Sequence, residues 1–221
     1  MNFRLGVDVG GTFTDLLLVD ESSGQTYTAK VPSTPQDSSI GVLDGVNRIC
    51  SESDIDLTKV SQVMHGTTVA TNAVLTGKGA RVGLITTKGY RQVLQVARSF
   101  CPGGLGGWVS YIKAPLLAPL ELTIEADERM DAQGNTVSAL NEKDFKKDLK
   151  ILLDKNEIEA LTICFINSYV NGAHEIRARE IAQEILGEIP ISISSEVVPE
   201  MQEYERAETT VVNSYVRPQV S

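Results

Sequence analysis

The sequence predicts an α/β protein with a mixed sheet flanked by helices, and three observations lead to this fold class. Near the N-terminus, apolar segments joined by glycine-containing turns are typical of an antiparallel meander of strands. Farther along, short apolar runs alternate with segments whose apolar residues recur every three or four positions, as in α/β proteins. The chain has 221 residues, 42% of them hydrophobic, which allows a substantial core in one large domain or two small ones.

The first predicted elements are three strands and a helix. One strand is expected to end near Asp8, and the others to span 16–19 and 25–31. Thr34 is expected to cap the helix, with Pro35 at its first position, because proline already has a helical φ angle. The apolar stripe of this helix would consist of Ile40, Leu43, Val46 and Cys50.

Alternating strands and helices are expected in the middle of the chain. The predicted elements are a strand at 60–64, a helix at 69–75, a strand at 81–86 and a helix at 88–97. The stretch 99–119 is rich in Gly and Pro and contains the single tryptophan, Trp108. We expect a long loop there, which either contacts a substrate or subunit or packs on the surface.

The last third continues the alternation. An extended segment is expected at 121–130, followed by a turn at 131–135. The next predicted elements are a helix capped by Asn141, a strand at 160–166, a helix ended by Gly187, a strand at 191–194 and a final helix from near Met201. The apolar residues expected to be buried in these helices are Phe145, Leu149, Leu152, Leu153, Ala178, Ile181, Ala182, Ile185, Tyr204, Ala207, Val211 and Tyr215.

The segment 8–15, Asp-Val-Gly-Gly-Thr-Phe-Thr-Asp, has the composition of a phosphate site. Because glycine has no Cβ, Gly10 and Gly11 can take positive φ angles and let backbone N–H groups approach an anion. Thr12 and Thr14 would add hydroxyl donors. The P-loop pattern of Gly, four residues and Gly-Lys-Ser/Thr is absent from the sequence.

Two carboxylates flank this turn. Asp8 would itself repel phosphate, but a carboxylate at the end of a strand beside a triphosphate suits magnesium, usually through retained waters. Asp15 is a second candidate. A plainer interpretation is an ordinary hairpin turn in which Asp8 is a buried or capping carboxylate.

Charge and cysteine content narrow the classes of partner. The formal net charge is −9, so we expect neither nucleic acids nor anionic membranes as partners. Cys50, Cys101 and Cys164 lie far apart and predict neither a metal pair nor a disulfide framework, so a reduced, cytoplasmic setting is expected. Residues 1–15 lack a signal-like core, and no apolar run approaches the roughly 20 residues of a membrane span.

Three further segments carry polar residues whose roles remain open at this point. The segment 65–68, His-Gly-Thr-Thr, precedes a predicted helix, a position that favours anions, although threonines there often only cap the helix. Charges at 203–206 in a first helical turn are commonly solvated or complement the helix dipole. The segment 165–175 is most simply a strand, a turn and a capped helix.

The pattern at 8–15 resembles the first phosphate loop of the sugar kinase, Hsp70 and actin superfamily, whose fold is ribonuclease H-like. Together and in order with 65–68, 83–89, 165–175 and 203–206, it also resembles the N-terminal region of the hydantoinase A and oxoprolinase family. This second resemblance extends over nearly the whole chain. The family includes ATP-dependent hydantoinases, 5-oxoprolinases and subunits of acetone and acetophenone carboxylases.

The resemblance implies an enzyme that uses ATP to activate an amide or enolate oxygen, by phosphorylation, before ring opening or carboxylation. It implies that residues 1–221 form the first nucleotide-binding lobe, with an inserted loop at 99–119, and that a second lobe is absent from this chain. The implied cofactors are ATP and Mg²⁺. The implied partners are a cyclic amide or ketone substrate and a hydantoinase B-like subunit.

The same resemblance implies roles for individual residues. Asp8 would hold magnesium, and Asp15 would order the loop or the attacking oxygen, so these two are the catalytic candidates. The residues implied to contact ATP phosphates are Gly10, Gly11, Thr12, Thr14, Gly66, Thr67 and Thr68. Roles for His65, Glu203, Glu205 and Arg206 follow only from their positions in the family pattern.

The loop at 99–119 looks more like that of acetophenone carboxylase subunits than that of hydantoinases, which implies a ketone enolate substrate and bicarbonate. Two alternatives remain open. A small-molecule kinase, such as a sugar kinase, shares the first loop but needs a catalytic Asp on a later strand. A non-catalytic nucleotide-binding or assembly module is compatible with a single lobe and with the acidic charge.

Overall fold

The computed structural model describes residues 2–34, 36–100, 103–104, 106–107, 112–155 and 158–220. The chain divides into two compact units, Met1–Lys78 and Gly79–Ser221. Both units combine a sheet with flanking helices, which confirms the α/β class. Within the described ranges, no helix is both long enough and apolar enough to cross a membrane.

The first unit contains a four-stranded mixed sheet. Its elements are β1 (Phe3–Val9), β2 (Phe13–Asp20), β3 (Thr26–Pro32), α1 (Ser38–Ser53), a 3₁₀ turn (Leu57–Lys59), β4 (Val60–Thr67) and α2 (Val69–Thr76). The strands lie in the order β3-β2-β1-β4. Pairing is antiparallel between β1 and β2 and between β2 and β3, whereas β4 runs parallel to β1. The predicted N-terminal meander is therefore confirmed.

One face of this sheet is packed and the other is open. Strand alternation turns side chains such as Leu5 and Leu18 toward α1, where they are almost fully buried against Ile49. The intervening residues point to the opposite face, where Asp8 and Asp15 are exposed. The open face thus presents carboxylates beside the turn between β1 and β2.

Helix α1 corrects two sequence predictions. Asp37, not Thr34, is its N-cap and accepts a hydrogen bond from the N–H of Ser39 (2.9 Å), while Pro35 lies outside the described residues. Val46 is buried and Cys50 half-buried as predicted, but the predicted stripe residues Ile40 and Leu43 are 50% and 60% exposed.

Glycines explain the shifted stripe of α1. The buried positions of the helix include Gly41 and Gly45. A Cβ on Gly45 would overlap the side chain of Leu16, so the helix lies too close to the sheet for a larger residue there. The buried face of the helix therefore includes its smallest residues, and Ile40 and Leu43 lie on the exposed face.

The second unit contains a four-stranded parallel sheet. Its elements are β5 (Val82–Thr87), α3 (Val93–Val96), a 3₁₀ turn (Leu120–Leu122), β6 (Thr123–Ala126), β7 (Arg129–Met130), β8 (Thr136–Ser138), α4 (Glu142–Lys155), β9 (Ala160–Cys164), α5 (Ala173–Leu186), β10 (Ile191–Ile193), α6 (Ser194–Val197) and α7 (Glu203–Val220). The order is β10-β9-β5-β6, and all three pairs are parallel. A small antiparallel pair, β7 with β8, lies outside it. Strands β5 and β9 are buried along their whole lengths.

Most predicted elements of the second unit are confirmed, with two corrections. The side chain of Asn141 accepts a hydrogen bond from the N–H of Asp144 (3.3 Å) at the start of α4, as its predicted capping role requires. The helix predicted at 88–97 is only the single turn α3, because Gly89 has φ +93° and tight turns follow it. The extended segment predicted at 121–130 begins with a 3₁₀ turn and contains two short strands. Trp108 and much of the loop predicted at 99–119 lie outside the described residues.

Candidate functional site

The glycine turn joins β1 to β2. The N–H of Gly10 donates a hydrogen bond to the carbonyl oxygen of Phe13 (3.0 Å), which closes the connection. The antiparallel register places Asp8 opposite Asp15. Side chains of directly opposed residues share one face of a sheet, so the two carboxylates lie side by side at the turn end of the open face.

Ser33, which directly follows β3, braces the turn. Its N–H donates to the carbonyl of Thr12 (3.0 Å), and its hydroxyl donates to the carbonyl of Gly10 (2.7 Å). The hydroxyl groups of Ser33 and Thr14 are also 3.0 Å apart, and Thr14 is only 1% exposed. The structure therefore places Thr14 beneath the turn, whereas Thr12 is exposed. No sequence pattern indicates this role of Ser33, because it lies 23 residues from Gly10.

Neither Gly10 nor Gly11 has a positive φ angle, so the turn does not use that conformational freedom of glycine. Glycine is needed at these positions for space instead. A Cβ on Gly10 would lie 2.9 Å from the carbonyl oxygen of Phe13, closer than side chains tolerate. A Cβ on Gly11 would lie 3.2 Å from the side-chain nitrogen of Asn72 in α2. The backbone of Phe13 and the side chain of Asn72 therefore leave little room for a Cβ at these two positions.

The two carboxylates differ in their neighbours. Both oxygens of Asp15 accept hydrogen bonds from the ammonium group of Lys30 (2.9 and 3.0 Å), its cross-strand neighbour on β3. Asp8 has no ion pair or side-chain hydrogen bond among the described residues. The structure thus leaves Asp8 as the carboxylate free to take a cation at the turn.

The segment 65–68 lies mainly in a strand, which corrects its predicted position at the start of a helix. His65, Gly66 and Thr67 belong to β4, and Thr68 is the N-cap of α2 but makes no side-chain capping bond. Instead, the hydroxyl of Thr67 accepts a hydrogen bond from the N–H of Val69 (3.3 Å). The N–H of Thr68 donates to the carbonyl of Val9 (3.2 Å), which ties the end of β1 to the start of α2.

Gly66 lies next to Asp8, but His65 does not share its face. The parallel register pairs Asp8 with Gly66, and a Cβ on Gly66 would lie 3.9 Å from the Asp8 Oδ1 atom. The same register pairs His65 with Val7, which places the two side chains on the opposite face of the sheet. The structure therefore brings Gly66 and the glycine turn to Asp8, and leaves the His65 side chain away from it.

An open groove of about 840 Å³ runs along this face of the first unit. Its lining includes both carboxylates and Lys30, and Gly6 and Gly66 flank Asp8 without side chains that would fill the space. Apolar positions such as Leu17 continue the groove away from the turn. Its charged groups are concentrated at the turn end, and its apolar groups lie farther along β2.

In the second unit, the polar segment 165–175 contributes Phe165 and Glu175 to a buried cluster. The Glu175 side chain has no exposed surface. It accepts hydrogen bonds from the N–H of Phe165 (2.8 Å), the hydroxyl of Ser194 (2.6 Å) and the N–H of Ser195 (2.8 Å). Since its oxygens are occupied by protein donors, this carboxylate connects β9 to the start of α6.

Arg206 completes the same cluster from α7 and is also fully buried. Its guanidinium donates to the carbonyl oxygens of Phe165 (2.8 Å) and Glu200 (2.7 Å) and to the hydroxyl of Ser194 (3.2 Å). Ser194 therefore bridges the buried positive and negative charges. The geometry assigns Arg206 a structural role, in contrast to the exposed residues of the turn.

Two other groups near this cluster have defined electrostatic settings. Burial raises the pKa of the Cys164 thiol to about 11, so it stays protonated at neutral pH and is not a nucleophile. A hydrogen bond from its own backbone N–H and an ion pair with Arg98 lower the pKa of the Glu205 carboxyl. Glu203 lies beside that ion pair in a separate groove.

The sequence did not predict a pair between the buried Glu128 and the half-buried His174. Nδ1 of His174 lies 2.7 Å from one oxygen of Glu128, and the hydroxyl of Thr87 donates to the other. Thr87 in turn accepts a hydrogen bond from the N–H of Ile166 (2.9 Å). This network ties the carboxyl end of β5 to the start of α5.

In the part of the chain that the structure describes, no three His, Cys, Asp or Glu side chains are grouped as a metal site would require. A nucleotide-linked magnesium ion does not need such a cluster, because one or two carboxylates together with phosphates and waters complete its coordination. Asp8 with its neighbour Asp15 fits that smaller donor set.

Comparison with known proteins identifies relatives of this chain in sequence and in structure. The profile of the hydantoinase/oxoprolinase N-terminal region matches residues 4–186. The chain is 32% identical to the acetophenone carboxylase gamma subunit of Aromatoleum aromaticum, over 96% of this chain and 31% of that protein. Its fold superposes on nucleotide-free acetone carboxylase with a TM-score of 0.89 at 26% identity, covering 99% of this chain and 32% of that one.

The ATP-dependent caprolactamase from Pseudomonas jessenii is a further structural match. The TM-score is 0.83 at 31% identity, over 98% of this chain and 32% of that one. The chain therefore spans about a third of the length of the relatives that it matches. Several of these relatives are named as subunits of larger enzymes.

Proposed function

The chain belongs to the hydantoinase/oxoprolinase family, whose N-terminal region it contains, and on that premise we propose that it provides the phosphate-binding turn of an ATP-dependent enzyme. That enzyme activates an amide or enolate oxygen for ring hydrolysis or carboxylation. The observation that carries this proposal is a tight glycine turn beside Asp8, a carboxylate without a described ion-pair partner that faces an open groove. Members of the same family are described as ATP-dependent, which supports it.

The donor set of the turn fits magnesium and ATP. When bound, magnesium-ATP supplies a phosphoryl group and compensating positive charge for activating an oxygen atom. Asp8 would hold the metal through waters. Because the N–H of Gly10 already donates to the carbonyl of Phe13, the exposed Gly11 is the glycine whose backbone would approach phosphates. The Thr12 hydroxyl is exposed at the turn and would add a donor.

The other candidate residues would act around this turn. Gly66 keeps the space next to Asp8 open, and the segment of Thr67 and Thr68 lies at the same end of β1. Thr14 would act indirectly, because its hydroxyl contacts Ser33 beneath the turn. Asp15 would order the turn through Lys30 or face the metal-bound waters.

The substrate is proposed as a cyclic amide or a ketone. The chain is about equally identical to a carboxylase subunit, at 32%, and to caprolactamase, at 31%, so overall identity does not separate carboxylation from amide hydrolysis. We propose a hydantoinase B-like subunit as the partner, since relatives are named as subunits.

We also propose that residues 1–221 act as the first lobe of such an enzyme. The chain corresponds to about a third of its relatives' length, and phosphoryl transfer requires donors and metal held around a site from which water is excluded. This chain alone is therefore expected to bind magnesium-ATP weakly and to hydrolyse it at a negligible rate. Robust turnover by the chain alone that depends on Asp8 would contradict the single-lobe proposal.

The direct test is calorimetric titration of the chain with a magnesium complex of a non-hydrolysable ATP analogue. Asp8→Asn should weaken binding by about tenfold or more, a loss of about 1.4 kcal/mol or more. Asp44→Asn is the matched control, because Asp44 is an exposed acid on α1 and the charge change is the same. Equal affinities of wild type and Asp8→Asn would remove Asp8 from the site.

A further inference from the structure

Lys30 is an ammonium group at the turn end of the open face, and the proposed phosphate site does not yet use it. Its nitrogen lies 2.9 and 3.0 Å from the two oxygens of Asp15 and 5.0 Å from the centre of the Phe13 ring. The register places Lys30, Asp15 and Asp8 in one row across β3, β2 and β1. Lys30 is therefore one strand away from Asp15 and two strands away from Asp8.

The row has an uneven charge distribution. Like charges directly opposite each other on neighbouring strands destabilise a sheet, and Asp8 faces Asp15 in this way. Lys30 neutralises Asp15 but makes no described contact with Asp8. The side chains of Lys30 and Asp15 are 55% and 53% exposed, so water competes for both and the ion pair can exchange partners at low cost.

The other cations near this face, including Arg48 in the lining of the groove, have partners other than the two carboxylates. Arg4 lies toward the far end of β1 and pairs with Glu21. Arg48 on α1 pairs with Glu52 (2.8 Å) and donates to the carbonyl of Lys30 (3.2 Å). Among the described residues of the row beside the glycine turn, Lys30 is thus the cation whose head group faces the carboxylates.

We infer that Lys30 is a phosphate-binding residue that exchanges partners when a metal-nucleotide complex binds. Without nucleotide, its ammonium group holds Asp15. With a metal-nucleotide complex, the ammonium donates to a phosphate oxygen and Asp15 turns to the waters of the metal ion. This inference rests on the proposed function and adds a residue to the same site.

The exchange predicts effects of opposite sign for two ligands. Removing the ammonium takes a charge-assisted contact from the phosphates, so nucleotide binding should weaken. The same change leaves Asp15 without its counter-ion beside Asp8, so a bare divalent cation should bind more tightly. A purely structural lysine would not produce opposite effects on the two ligands, because loss of structure would weaken the binding of both.

The test measures two ligands by calorimetry on the whole chain: Mn²⁺ alone, and Mg²⁺ with a non-hydrolysable ATP analogue. Lys30→Gln should raise the Kd of the metal-nucleotide complex about tenfold and lower the Kd of Mn²⁺ alone about threefold. Lys30→Arg keeps the charge and should stay within about threefold of wild type for the nucleotide. Lys59→Gln is the matched control, since Lys59 is exposed at the opposite end of the sheet, beside the start of β4, and should change neither Kd.

Each alternative outcome decides a separate point. If Lys30→Gln changes the Kd of neither ligand, as expected for Lys59→Gln, the inference is overturned. It is also overturned if Lys30→Gln weakens the binding of both ligands. If Asp8→Asn weakens nucleotide binding while Lys30→Gln does not, the proposed function stands and only the role of Lys30 falls. If wild-type chain binds no nucleotide, both fall together. Circular dichroism of each variant verifies that Lys30→Gln leaves the fold intact.

Discussion

The two units of the chain treat charged side chains in opposite ways. In the first unit, Asp8 is exposed beside a glycine turn and has no described ion-pair partner. In the second, Glu175 and Arg206 are fully buried, and both are surrounded by protein hydrogen-bond partners. A buried charge whose bonds are all made inside the protein holds elements together, whereas an exposed charge with spare bonding capacity can serve a ligand.

The two units also differ in the roles of residues that belong to the same family pattern. The segments containing Asp8 and Arg206 both contribute to the family resemblance. In the structure these two residues have different roles. Arg206 connects α7 to the end of β9, whereas Asp8 faces a groove. Substitutions at the glycine turn should therefore change nucleotide affinity, whereas substitutions of charged groups bonded within the protein should change stability, and three predictions test that distinction.

The largest effect is expected from Arg206→Met. Removing the guanidinium leaves the carbonyls of Phe165 and Glu200 without their donors and the charge of Glu175 without its buried counterpart. The free energy of unfolding should fall by about 3–5 kcal/mol, measured by urea denaturation followed by circular dichroism. Arg179→Met is the control, because Arg179 pairs with Glu196 at the surface and should cost about 1 kcal/mol or less.

The opposite result would remove the distinction between the two units. A folded Arg206→Met protein of wild-type stability that no longer binds nucleotide would give the second-unit cluster a ligand-binding role. Wild-type nucleotide affinity in the folded fraction, together with lowered stability, would support the division between the units.

An intermediate effect is expected from Gly11→Val in the first unit. The added side chain meets Asn72 and occupies the surface of the turn, so magnesium-nucleotide affinity should fall by about tenfold to a hundredfold, or about 1–3 kcal/mol. Calorimetric titration measures the loss. Gly24→Asn, in the turn between β2 and β3, is the control, because asparagine tolerates its φ of +72°. Unchanged affinity in a folded Gly11→Val protein would remove this turn from the site.

The smallest effect concerns pH and the far end of the first sheet. Hydrogen bonds from the hydroxyl and N–H of Ser22 and the hydroxyl of Ser23 lower the pKa of Asp20 from 3.8 to about 2. A folded-state pKa below the unfolded value gives stability that is present above pH 4 and is lost as pH falls toward 2. Asp20→Asn should therefore flatten the decline of unfolding free energy between pH 4 and pH 2 and leave nucleotide affinity unchanged. A decline as steep as that of wild type would exclude this contribution.

The elements that could be predicted are those whose signal is local. Glycine turns and apolar runs predict β1, β2 and β3, because each strand buries its own alternating residues. The buried face of α1 could not be predicted in the same way. Gly41 and Gly45 fit there because the helix lies close to the sheet, and that distance is set by the whole packing arrangement rather than by the helix sequence.

The candidate site was predictable to a similar extent. The sequence places Asp8 and the glycine turn together because they are adjacent in the chain. The ion pair between Lys30 and Asp15 depends on the register between β2 and β3, which the length of the connecting turn decides. The opposite-face position of His65 depends likewise on the parallel register of β4 with β1.

Ser33 determines the shortest segment that can reproduce the turn in its native conformation. A synthetic peptide that contains β1, the turn and β2 would have the complete glycine motif but would lack the bonds from Ser33 to Gly10 and Thr12. In this peptide the carbonyl groups of Gly10 and Thr12 would lack their donors from Ser33. The turn would therefore sample many conformations, in which the backbone N–H groups point in different directions. A peptide mimic or a graft into another scaffold would therefore need all three strands through residue 33, although the recognisable motif occupies only residues 8–15.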